Sequence, residues 1–305
     1  MTRVRALAKI NLDLRVLSKR PDGYHELRTI FQTISLADTI DIEFTRARRT
    51  EIVLDDPLHI EDNLVTRAAR MAMDAMRIAG RVEMRLVKRI PMGAGLGGGS
   101  SDAAAVLLAL PAIAGRSIGL SELSGIAEQL GSDVPFFLLG GTAAAIGRGT
   151  ELFPLPDAPA MAGVLAVPGI HVNTAQAYRD LSPRLTTELH RNKIKGFQAI
   201  TWDTSSVAGA RNDFEEAVFE QHPKLEVLKK KLARAGAAVA LMSGSGSAVY
   251  GLFRCRRQVP GAIQAVGEKQ AFQISLVSRA RYRAMWWRAL ARHTKPGLWP
   301  PRSRY

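Results

Sequence analysis

Residues 91–104 read PMGAGLGGGSSDAA, and five of the seven positions 93–99 are glycine. Each glycine costs about 0.5–1 kcal/mol in chain entropy, so a plain turn is a poor explanation for so many. Such a run permits positive φ and lets a ligand approach the bare main chain. Ahead of it, Val82, Met84 and Leu86 alternate with Glu83 and Arg85, which predicts a strand. Behind it, Ser100 and Ser101 lead into an alanine-rich segment that predicts a helix. The first N–H groups of a helix lack internal partners and sit at the positive end of its dipole. Strand, glycine loop and helix start in that order form an anion cradle, with phosphate the expected occupant.

Several phosphate loops can be set aside. Gly93, Gly95 and Gly98 fit the spacing of a dinucleotide fingerprint, but that motif wants an acidic residue about 20 positions later. Residues 103–119 contain no Asp or Glu. A Walker loop needs Lys directly after its last glycine, and here Gly99 is followed by Ser100. The protein-kinase glycine loop lies between two strands, with no alanine helix behind it.

The chain has 305 residues, 47% of them hydrophobic, enough for two ordinary domains. Arg3, Arg5 and Lys9 interrupt any apolar leader, no run of about 18 apolar residues offers a membrane span, and Cys255 is the single cysteine. A soluble cytoplasmic protein is expected. The net charge is +14, yet nine basic residues follow Glu268, the last acidic one, and subtracting them leaves +5 for the rest. That distribution argues against a nucleic-acid partner for the main body. The tail also carries Trp286, Trp287 and Trp299. It can either touch RNA or anionic lipid, or pack its tryptophans on its own domain.

Strands are expected at 4–16, 29–36, 41–44, 163–167, 237–241 and 249–253, and helices at 63–79, 101–110 (ended by Pro111), 121–130, 172–181, 214–221 and from Pro223 to about Gly236. This mixture is α+β, without the regular alternation of a doubly wound sheet. Pro154, Pro156 and Pro159 mark a linker. The expected units are 1–156, 157–268 and a basic segment 269–305.

Four segments occur in order: Ala8-Lys9-Ile10-Asn11-Leu12, the glycine loop, Gly131-Ser132-Asp133-Val134-Pro135, and Ser243-Gly244-Ser245-Gly246. Together they resemble the GHMP kinase superfamily of small-molecule kinases. Within it, Asp22-Gly23-Tyr24-His25-Glu26-Leu27, the expanded Gly97-Gly98-Gly99-Ser100-Ser101 and Asn212-Asp213-Phe214-Glu215 are similar to the branch that acts on a cytidylated sugar alcohol. The resemblance runs from about residue 6 to residue 253, and the Arg/Trp tail departs from it. It implies the two-domain GHMP architecture with the active site in the interdomain cleft. It also implies ATP as co-substrate with Mg²⁺, and transfer of the γ-phosphoryl group to the 2-hydroxyl of the methylerythritol unit in a step of non-mevalonate isoprenoid synthesis. Another GHMP-type small-molecule kinase is the alternative.

By the same resemblance Lys9 and Asp133 are catalytic. Lys88, Pro91, Met92, Gly93, Ala94, Gly95, Leu96, Gly97, Gly98, Gly99, Ser100, Ser101, Ser243, Gly244, Ser245 and Gly246 bind ATP. Asn11, Tyr24, His25, Thr174 and Tyr178 bind the substrate, the cytosine lying between the rings of Tyr24 and Tyr178. Ser101 is the expected metal ligand. On the residues alone, Asp133 equally suits a helix cap, Lys9 a solvent-facing place on its strand, Tyr178 core packing and residues 243–247 a hairpin turn. Oligomeric state is not legible.

Overall fold

The computed structural model describes residues 1–184, 187–203, 209–295 and 297–304. Two long antiparallel strands, β1 (Thr2–Lys19) and β2 (His25–Arg46), form the spine of the N-terminal layer. The stretches expected as separate strands at 29–36 and 41–44 are one strand. Asp38 and Thr39 stay on the ladder, opposite Ala6 and Arg5. With β3 (Glu51–Asp55), β4 (Gly80–Val87), β5 (Thr142–Gly147) and β6 (Glu151–Pro154) they make a sheet of order β3-β4-β2-β5-β6, with β1 paired to β2. Only β3 and β4 run parallel.

Helices α1 (Leu64–Met76), α2 (Gly98–Ile113), α3 (Leu120–Leu130) and the short α4 (Val134–Leu139) cover one face of this sheet. The alanine-rich α2 is apolar all round, so it is buried on every side from Ser101 to Ala112. Pro111 does not end it: the helix runs to Ile113, since a proline in the last turn forfeits one hydrogen bond without blocking the few residues after it.

Beyond β6 the chain crosses into a second sheet, β7 (Ala162–Ala166), β8 (Val239–Met242), β9 (Val249–Phe253) and β10 (Ala271–Ser275), antiparallel in the order β10-β7-β9-β8. Helices α5 (Thr174–Leu181), α6 (Thr187–Trp202), α7 (Glu215–Gln221), α8 (Pro223–Arg234) and α9 (Val259–Val266) accompany it. Ala8, Ile10 and Leu12 of β1 share one core with Leu165, Leu241, Tyr250 and Leu252 of this sheet. The alternate residues Lys9, Asn11, Asp13 and Arg15 are also buried, between the layers.

The basic segment expected from 269 is not a unit of its own. Its first residues are β10, the edge of the C-terminal sheet. The helix that follows, α10 (Arg279–Ala289), returns to the N-terminal layer, where Tyr282, Trp286 and Leu290 join the core of Phe136 and Phe137. Apolar side chains within a basic helix need cover, and that core supplies it.

Candidate active site

The glycine loop is held from three sides. Lys9 N donates to Leu96 O at 3.0 Å, Ala248 N to Ala94 O at 3.2 Å and Ser243 Oγ to Gly95 O at 2.9 Å. At Gly95 φ is +77° and an added Cβ would stand 2.1 Å from Ser243 O, so only glycine fits. Behind the loop, Lys88 bonds Asp38 at 2.5 Å and Asp102 at 2.7 Å, while Asp38 also accepts from the amides of Arg89 and Ile90. Burial pushes the Asp102 carboxyl up to about 7, Lys88 opposing and Asp38 adding to the rise.

Two cavities meet at this loop, one of about 730 Å³ facing the C-terminal layer and one of about 470 Å³ on its outer side, with Gly95 and Gly97 in the wall of both. The outer cavity is walled by main chain from Pro91 to Ser100 and by the segment before α1. In the inner cavity Lys9 Nζ lies 3.4 Å from Asp133 Oδ2 and donates to Asn11 Oδ1 at 2.9 Å. Lys9 is not solvent-facing; its side chain is 4% exposed, against 32% for Asp133. A shift in the β1–β2 register between Leu7 and Lys9 is what turns it into the cleft. Asp133 stands just before α4 and makes no capping bond to it, so its carboxylate is left for the cavity.

The part of the inner cavity expected to take the pyrimidine is lined by Tyr24, His25 and Tyr178. Tyr178 stacks on His25, ring centroids 4.6 Å apart and planes 22° apart, and meets Phe214 edge-on. Tyr24 is half exposed, with the Arg148 guanidinium 3.4 Å from its ring centre. One face of Tyr178 is therefore covered by the neighbouring imidazole, while Tyr24 lines the same cavity. That imidazole bonds Ser182 Oγ at 2.8 Å, and burial with the Lys19 charge holds it below its usual range. Burial, with Asp133 adding, pushes the Tyr178 phenol up to about 12.

Several predicted ligands are committed elsewhere. Asn11 Oδ1 accepts from Lys9 and from Gly244 N, and its Nδ2 donates to Thr29, so it braces the wall of the inner cavity that it lines. Ser101 Oγ donates to Leu7 O at 2.7 Å and is buried, which turns it from the loop and tells against metal ligation; Ser100 lines the outer cavity instead. Lys88 lines that cavity too, but two carboxylates hold its ammonium. Met92 is exposed beside the loop. Thr174 bonds Ser245 at 2.8 Å over the inner cavity, and Gly246 lies next to them.

Sequence reasoning missed Arg148, Ser182 and Lys19 in this wall. The Gly147-Arg148-Gly149 turn was a usable signal for the first; nothing local marked the others. Asn212, legible only as part of the Asn212-Asp213-Phe214-Glu215 motif, has a further part in holding the wall. Asn212 does accept from Phe214 N, but its amide holds Met242 O and Gly244 O as well, tying the second glycine turn to the cleft.

A main-chain cradle, a buried ammonium against a carboxylate and an adjoining aromatic pocket define a small-molecule kinase. Residues 63–141 match the GHMP kinases N terminal domain and residues 199–271 the GHMP kinases C terminal family. A relative from Solibacter usitatus is 70% identical over 306 residues, 99% of this chain and 97% of its own. Another, from Geobacter metallireducens, is 40% identical over 271 residues, 86% of this chain and 93% of its own. Both are 4-diphosphocytidyl-2-C-methyl-D-erythritol kinases. A crystal structure of 4-(cytidine 5'-diphospho)-2C-methyl-D-erythritol kinase superposes with a TM-score of 0.76 at 36% identity, covering 90% of this chain and 98% of that one. The chain belongs to the 4-diphosphocytidyl-2-C-methyl-D-erythritol kinase family.

Proposed function

We propose that the protein transfers the γ-phosphoryl group of ATP to the 2-hydroxyl of 4-diphosphocytidyl-2-C-methyl-D-erythritol, giving the 2-phosphate and ADP in non-mevalonate isoprenoid synthesis. The observation that carries this is the Lys9–Asp133 pair, 3.4 Å apart beside a glycine cradle and an aromatic pocket. Asp133 takes the hydroxyl proton as that oxygen bonds to the γ-phosphorus and the bond to the ADP oxygen breaks. The Lys9 ammonium offsets charge spreading over the transferred oxygens. Triphosphate rests on main-chain N–H groups of residues 93–100, with Ser245 and Gly246 closing from the other side. His25, Tyr178 and Tyr24 receive the pyrimidine, and Lys19, Arg148 and Arg179 of the same cavity suit the diphosphate.

Mg²⁺ accompanies ATP and prefers phosphate oxygens and water. Among the described residues no group of three His, Cys, Asp or Glu side chains could hold a metal. With Ser101 turned away, the triphosphate oxygens and water would hold the ion, which would offset the phosphate charge. No described helix is long and apolar enough to cross a membrane, and the cytoplasm, where ATP is available, is the compartment that fits. ADP release should be measured with the cytidylated substrate, mevalonate, homoserine and galactose. Turnover with the first supports the reading; turnover confined to one of the other three overturns it in favour of a different GHMP kinase.

A further inference from the structure

The helix that begins just after Asp133 has only six residues, and its carboxyl end is closed by the C-terminal segment of the chain. A helix leaves its last carbonyls without internal partners, and one so short has little of its own to hold it. In α4 the carbonyl of Phe136 is taken by Gly140 N at 2.8 Å. The next ones are taken from about 140 to 160 positions further along the chain. Tyr282 Oη donates to Phe137 O at 2.5 Å, Trp299 Nε1 to Leu138 O at 2.8 Å and Arg279 Nε to Gly140 O at 3.2 Å. Arg279 also bonds Leu155 O and Thr142 O, and its amide donates to both oxygens of Asp157. Tyr282 is 1% exposed, and its ring fills the space where Gly140 lacks a Cβ, 2.3 Å from the ideal position. Trp299 meets Tyr282 edge-on at 6.1 Å. Three donors and two rings thus fix the rotation of α4 about its axis. At the opposite end Asp133 makes no bond to its own helix and faces Lys9. Its direction is set by where α4 points.

We propose that Arg279, Tyr282 and Trp299 are positioning residues for phosphoryl transfer, holding Asp133 at its working distance from Lys9 by gripping the far end of α4. This rests on the reading of Asp133 as the group that takes the hydroxyl proton. None of the three residues lines the cleft, so they act through the helix. Displacing a catalytic group by about 1 Å costs up to about a hundredfold in rate.

The test uses Tyr282→Phe, which keeps its ring and loses its donor, and Trp299→Phe, which keeps an aromatic ring and loses the indole donor, both in the full-length chain. The expected result is a fall in kcat of about tenfold, with KM for ATP and for the alcohol within about twofold. In an Asp133→Asn background the same changes should cost nothing more. If Tyr282→Phe fails to fold, Trp299→Phe decides, since Trp299 is only half-buried. Wild-type kcat per folded molecule, or an equal loss in the Asp133→Asn background, overturns the proposal. Near-normal turnover by Asp133→Asn alone overturns the reading beneath it instead.

Discussion

Asp38 and Asp102 compete for one ammonium beneath the glycine loop, and replacing Asp102 by Asn measures what that competition costs. Asp38 has Lys88 and two main-chain amides as donors; Asp102 has Lys88 alone, and its Oδ1 is buried with no partner. Burial therefore raises Asp102 to about 7. Between the usual carboxylate range and that value, the folded chain keeps a proton that the unfolded chain has shed. Stability from this group is then fully present at low pH and is lost as pH rises through about 7. Integrated from about pH 5.5 to about pH 8.5, the loss is about 2 kcal/mol. Asparagine cannot titrate, and it can still offer an oxygen to Lys88. Its amide N–H, however, enters the site of the unpartnered Oδ1, at a cost of about 1–3 kcal/mol. The variant should be less stable than wild type at the acidic end, and the gap should close by about 2 kcal/mol at the alkaline end. Urea denaturation followed by circular dichroism across the pH series reads this directly. Parallel stability curves for the two proteins would refute the reasoning.

Gly95→Ala should abolish binding of an ATP analogue by isothermal titration and lower Tm, because its Cβ would strike Ser243 O; binding at wild-type affinity would contradict the close approach. Tyr178→Ala should raise KM for the cytidylated substrate about tenfold or more, a base stack being worth about 1–3 kcal/mol, and leave KM for ATP unchanged. Steady-state kinetics with each substrate varied in turn checks the split. Asp13 and Arg15 pair at 2.7 Å with almost no exposure, so Arg15→Met should lower stability by about 3–5 kcal/mol in the same urea assay, as a buried carboxylate is left with the Arg211 amide but without its guanidinium partner.

Much of the site was legible because its signals are local. The glycine loop and the alanine helix behind it are contiguous, and the chemistry of bare amides follows from their order; Asp133 before Val134-Pro135 equally suited a cap on the residues alone and was singled out by the resemblance. Lys9 was legible as a motif but not as a buried ammonium. Its burial depends on a register shift against β2 and on a second sheet built from residues more than 150 positions away. For the same reason the brace from Asn11 to Gly244 was not legible, and Ser101 read as a metal ligand when it is pinned to Leu7 O. The His25–Tyr178 stack joins β2 to α5, and no local pattern foretells which ring faces which. The tail's tryptophans showed that something must cover them; only the fold shows that they cover the helix behind Asp133.

The account turns on proton removal by Asp133 beside Lys9, and single-turnover phosphoryl transfer to the cytidylated alcohol by Asp133→Asn tests it most directly. The predicted result is a rate about 10²–10⁴-fold below wild type, with the Kd of an ATP analogue unchanged within about twofold. A transfer rate within a few-fold of wild type, with ADP and the 2-phosphate formed in equal amounts, would contradict it.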